Sequence, residues 1–127
     1  MSYTATGINT SATIVAPAAA EADVRGKGIK LNAEGQAVVA GAGEVAIGLA
    51  IITNDDTVKV GEDVDIQVKE IGLALAGGAI AAGAELAIGA DGKVVTATDG
   101  NFVVATALES AKAAGKFIRV QITKYQK

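Results

Sequence analysis

A chain of 127 residues and 12.5 kDa, with formal charge −3 and a pI near 4.8, has the size of one domain and lacks the basic excess of a nucleic-acid binder. The absence of Cys and His excludes disulfide frameworks, thiolate zinc sites, cysteine nucleophiles and imidazole bases, and leaves no metal or cofactor to name. Half of the residues are hydrophobic, but aromatics make up only 3% and 16 residues are glycine, so any core is built of Ala, Val and Ile and buries little area per residue; this composition points to a binding or structural module and not to an enzyme.

In chain order, the first stretch is Met1 to Ala20, which carries no charged side chain. Its apolar residues are interrupted by Ser and Thr, which does not fit a secretory signal. Disordered tails are normally charged. We therefore expect residues 1–20 to be an extended arm that orders on a partner surface, through Tyr3, Thr4, Ile8, Ile14 and Val15, by adding to an exposed strand edge.

Residues 21–127 are expected to form a single, mainly β domain with little helix. Short strands over Ile29–Leu31 and Leu86–Ile88 run into the turns Glu34-Gly35 and Asp91-Gly92, where glycine adopts positive φ cheaply. Second strands follow over 36–40 and 93–97, and third strands over 44–52 and 101–108. The last strand of each set alternates, with Val64, Ile66 and Val68 in one and Ile118, Val120 and Ile122 in the other. The alanine-rich stretches 16–22 and 74–84 have helix propensity. One is too short for a helix and the other is broken by Gly77, Gly78 and Gly83, so both are expected to be loops or short turns. The apolar run Ile71 to Ala84 is about 14 residues, short of a membrane-spanning helix.

These strands repeat. Aligning Gly35 with Gly92, an offset of 57, superposes residues of like type from Ile29 to Ile51 on Leu86 to Leu108. After a shift of three residues, Gly61 to Val68 faces Gly115 to Ile122. The chain thus reads as two similar halves, at about 26–68 and 83–122. Two copies are too few for a solenoid.

Gly41-Ala42-Gly43-Glu44-Val45-Ala46 has the spacing of a dinucleotide-binding loop, but a β-branched run follows it in place of a helix, so it reads as a turn. Asn54-Asp55-Asp56 and Glu62-Asp63-Val64-Asp65 lack the twelve-residue calcium-loop pattern and read as a solvated acidic surface. Charge is also divided: residues 1–65 hold four basic and nine acidic side chains, and residues 66–127 hold seven basic and five acidic. The acidic part of one subunit could thus meet the basic part of the next in a ring.

The second half carries a recognisable pattern: Ala79-Ile80-Ala81-Ala82-Gly83-Ala84-Glu85-Leu86, Ala90-Asp91-Gly92-Lys93-Val94-Val95, Val104-Ala105-Thr106-Ala107-Leu108-Glu109-Ser110-Ala111 and Gly115-Lys116-Phe117-Ile118-Arg119-Val120. It resembles the capsid decoration, or cement, proteins of tailed bacteriophages, most clearly over residues 60–123. The resemblance implies a small β-barrel or β-tulip-like domain, often trimeric, assembled in the host cytoplasm onto the outer surface of the expanded head. There it would stabilise the lattice by bridging subunits of the major capsid protein, partly through the N-terminal arm. It implies no catalytic residue; no nucleic-acid partner and no membrane are expected from the acidic charge balance and the short apolar run. A phage tail or baseplate component, or a bacterial surface adhesin domain, is the alternative reading.

Overall fold

The computed structural model describes residues 11–53 and 56–127. Ten strands lie in this range: β1 (Thr13–Pro17), β2 (Gly28–Leu31), β3 (Ala37–Val39), β4 (Gly48–Ala50), β5 (Asp63–Gln67), β6 (Glu70–Leu75), β7 (Glu85–Ile88), β8 (Val94–Thr96), β9 (Phe102–Ala107) and β10 (Phe117–Gln126). A single 3-10 turn, Ala90–Gly92, joins β7 to β8. The mainly β domain with little helix is the fold that the sequence implies.

The strands form two five-stranded antiparallel sheets, ordered β1-β5-β4-β2-β3 and β6-β10-β9-β7-β8. Counted from the first strand of each, the two orders are identical. The registers repeat as well. Ile29 faces Gly48 as Leu86 faces Ala105, and Leu49 faces Gln67 as Thr106 faces Gln121. The first pair of positions is offset by 57 residues, and Gln67 and Gln121 by 54. The unit extends further towards the N-terminus than the sequence comparison reached, because β1 pairs with β5 as β6 pairs with β10.

Each sheet curls until its outermost strands meet. A parallel bridge joins Ala18 to Ala37 at the ends of β1 and β3, and another joins Ala76 to Val94 in the second sheet. The bridging amides are those of Ala19, donating to Ala37 O at 3.0 Å, and Gly77, donating to Val94 O at 2.7 Å. Closure happens within each half, and each half fills its own interior. In the first, Ala16, Ala18, Ile29, Ala37, Ala50, Val64 and Ile66 form the core; their counterparts Ala74, Ala76, Leu86, Val94, Ala107, Ile118 and Val120 do so in the second. Such narrow interiors take small residues, since a five-strand curl leaves room for a few side chains per layer. That is why a chain this poor in aromatics still packs.

The halves are alike but do not meet symmetrically. Ala40, Ala46 and Leu49 of the first half join the core cluster of the second. The β7–β8 turn docks on the first half: a Cβ on Gly92 would lie 2.6 Å from Val39 Cγ1 and 3.0 Å from Lys27 Cβ. Beside it, the buried Lys27 Nζ donates to Asp91 Oδ2 at 2.9 Å. The equivalent glycine of the first half, Gly35, has open space around it. On the other side of the contact, the Leu75 amide donates to Gly26 O at 2.8 Å.

The stretches 16–22 and 74–84 are loops and short turns beyond their first two residues; Ala16-Pro17 end the edge strand β1 and Ala74-Leu75 end the edge strand β6. Residues 13–17 and 70–75 alternate poorly in sequence, because β6 is apolar on both faces, with Ala74 buried and Ile71 and Leu73 exposed. The third strand of the first half is shorter than expected: β4 covers only Gly48–Ala50, and Val45 is exposed.

Two substitutions test the packing. At Gly48 a Cβ would sit 2.1 Å from the Gln67 carbonyl oxygen, which is backbone and cannot step aside. Gly48→Ala is expected to cost about 3 kcal/mol or more by urea unfolding. Gly35→Ala, at φ 78 with nothing nearby, is expected to cost only the left-handed backbone penalty of about 1 kcal/mol.

Candidate functional site

Tyr3, Thr4 and Ile8 lie outside the described residues. Ile14 and Val15 are in β1. Ile14 is half-buried against the core of the first half, and Val15 is exposed. Strand pairing with β5 therefore begins at Thr13, within the stretch expected to be an arm.

The glycine-rich loop 41–46 is a turn. Gly43 has φ 77 and donates to Ile88 O at 3.0 Å, the Glu44 carboxylate accepts from the Gly41 amide at 2.6 Å, and strand β4 follows in place of a helix. Asn54 and Asp55 lie outside the described residues, and Asp56 is exposed. Glu62 Oε1 accepts from the Lys59 amide at 2.6 Å, which makes it a turn cap. Asp63 and Asp65 point outward from β5 while Val64 points in. Among the described residues no group of three or more acidic side chains is placed to hold a metal ion.

Two clefts mark the described surface. One cleft of about 180 Å³ lies beside β5, between Val24, Ile51, Val58 and the acidic residues 62–65. Another, of about 170 Å³, is an alanine-lined groove between Ala18–Ala22 and β3. Both are below the roughly 300 Å³ at which small-molecule sites begin.

The convex surfaces are more informative. The outer faces of both sheets carry exposed aliphatic residues: Val15 on the first, Ile71, Leu73 and Leu108 on the second. Glu109 stands beside the second face, where its Oε1 accepts from the Arg119 amide at 2.9 Å. Nothing in the sequence marks Ile71 and Leu73 as surface residues, since an unbroken apolar run reads as buried. Their exposure follows from β6 being an edge strand with one face to solvent.

Surface ion pairs shift a few groups. Arg25 hydrogen-bonds Asp23 through Nε at 3.0 Å and Nη2 at 2.8 Å, and holds its carboxyl below the ordinary 3.8 against a smaller upward push from burial. Lys30, and then the Gly41 amide, lower Glu44 below 4.5. Glu85, which accepts from both Tyr125 and Lys127, raises Lys127 above 10.5.

Comparison with known proteins bears on what such surfaces do. The family model described as phage cement protein matches residues 8–122. No curated protein sequence matches. Among solved structures, the N base of head fiber gp8.5 in bacteriophage phi29 shares the fold, with a TM-score of 0.68 and 20% identity over 91% of this chain and 96% of that one.

The pH response follows from the ion pairs. Carboxyls lowered on folding stabilise above their ordinary range and lose that contribution as pH falls through the lowered values; the raised Lys127 contributes below its ordinary value and loses it as pH rises through the raised one. The urea midpoint is expected to be flat from about pH 5 to about pH 9 and to fall below about pH 4, with a shallower acid slope in Asp23→Asn/Glu44→Gln.

Proposed function

The chain belongs to the phage cement protein family, and from that premise we propose that it binds the outer surface of the expanded phage head and bridges neighbouring subunits of the major capsid protein. A member of this family is a structural component of the virion, associated with the capsid. The observation that carries the proposal is the reach of the family match, which runs from the uncharged N-terminal stretch through both halves to β10.

The chemistry of the surface supports this reading. Large exposed aliphatic residues on two sheet faces, and clefts too small for a metabolite, suit broad contact with other proteins. Residues 1–12, with Tyr3, Thr4 and Ile8, are the length available as a capsid-contact arm. Ile14, wedged against the first core, anchors it where β1 begins. The protein works as a homo-oligomer, with a trimer favoured, so that each particle ties several capsid subunits at once.

The mechanism is one of linkage. A protein that binds only the expanded lattice stabilises that lattice in proportion to its selectivity. Repeated weak contacts on a tethered oligomer add up through effective concentration.

Mixing the purified protein with expanded and unexpanded empty heads tests this directly. Co-sedimentation with expanded heads only, together with a higher temperature of head disruption, is expected. Equal binding to both, or to neither, overturns the proposal. Deleting residues 2–10, which leaves β1 whole, is expected to weaken head binding at least about tenfold while strand circular dichroism is unchanged; undiminished binding removes the arm from the mechanism.

A further inference from the structure

We propose that the outer face of the second sheet in one copy packs against the outer face of the first sheet in the next, with Arg119 of one meeting Asp65 of the other. This rests on reading the protein as a homo-oligomer and names the surfaces that build it.

Two paired strands and the residue that follows a third set a row on each face. In the first sheet, Val15 of β1 lies opposite Asp65 of β5, and the Ile51 amide donates to Asp65 O at 2.9 Å, which puts Ile51 on the other flank of Asp65. In the second sheet, Leu73 of β6 lies opposite Arg119 of β10, and the Leu108 amide donates to Arg119 O at 2.9 Å. The two rows occupy equivalent places in the repeat: 15 corresponds to 73, 65 to 119, and 51 to 108. Each is aliphatic, charged, aliphatic, and the charge is inverted.

The aliphatic members are not packed away. Val15 is 57% exposed, Leu73 43% and Leu108 38%, and Ile51 is half-exposed. Adjacent exposed aliphatic residues flanking a charge are the composition of a contact surface.

The charges are open to a partner. Asp65 is exposed and makes no ion pair among the described residues. Among the described residues Arg119 has one ion-pair partner, Glu109, 4.0 Å from its Nε, which engages one of its five donors. The surroundings reinforce the signs. Residues 56–65 hold four carboxylates and one lysine, whereas residues 109–119 hold three cations and one carboxylate, with Glu62 and Lys116 at equivalent positions.

A second copy is the occupant that fits, because every copy carries both the acidic row and its basic counterpart. The contact joins two different patches, so it is head-to-tail and closes into a ring when the rotation per subunit divides a full turn. A guanidinium and a carboxylate meeting between aliphatic flanks are shielded from water, which strengthens their pairing and sets the register.

Charge swaps test it, read by sedimentation velocity across a concentration series with circular dichroism as the folding check. Asp65→Arg and Arg119→Asp, both on exposed strand positions, are each expected to weaken self-association at least about tenfold, and the double swap to restore it. Asp65→Cys/Arg119→Cys is expected to form covalent ladders on oxidation. An oligomer whose mass is unchanged by either single swap overturns the interface and leaves the homo-oligomer standing. A wild-type chain that is monomeric at all concentrations overturns both. Single swaps that leave the mass unchanged but abolish head binding assign the rows to the capsid and also overturn the interface.

Discussion

The structure depends on how closely its two halves approach, and glycine sets that distance. A Cβ at Gly28 would stand 2.3 Å from Ile88 Cδ1, and one at Gly92 would stand 2.6 Å from Val39 Cγ1. With those positions bare, the β7–β8 turn reaches the first half and Asp91 meets the buried Lys27 amine. Their pairing satisfies a charge that would otherwise be costly to bury. The same approach lets Ala40, Ala46 and Leu49 complete the larger core. The glycine-rich, aromatic-poor composition is thus the consequence of two narrow curled sheets pressed together backbone to backbone.

Because the halves touch through non-equivalent surfaces, the repeat leaves equivalent surfaces in different states. Gly92 is enclosed and Gly35 is open; the Gly26 loop is docked and the Gly83 loop is free. A duplicated unit of this kind can hold one pair of surfaces for its own folding and free the counterparts for other contacts. The chain belongs to the phage cement protein family, whose members associate with a capsid, and the proposed capsid contact draws on the surfaces left free by this division.

Much of this was legible in the sequence because the turns are chemically marked. Gly35 and Gly92, Gly43 and Gly100, and Gly61 and Gly115 all adopt positive φ in matched pairs at the offsets read from the alignment. The inward alternation of Val64 and Ile66, and of Ile118 and Val120, fixed the faces of β5 and β10. The edge strands β1 and β6 were not legible: Ile71-Gly72-Leu73-Ala74-Leu75 has no polar face, and an edge strand exposed for contact looks in sequence like an apolar run. The left-handed Glu70 and Lys124, which re-aim the chain after β5 and within β10, carry no glycine to announce them. Charge division was visible only as totals for the two halves. Strand register was needed to put Asp65 and Arg119 at equivalent points.

The proposed spanning of joints between capsid subunits from outside is read from a cryo-electron microscopy reconstruction of expanded empty heads incubated with purified protein. Density on the outer surface, with each oligomer touching at least two neighbouring major capsid protein subunits, is the predicted result. Density confined to a single capsid subunit, or lying on the inner surface, would contradict it.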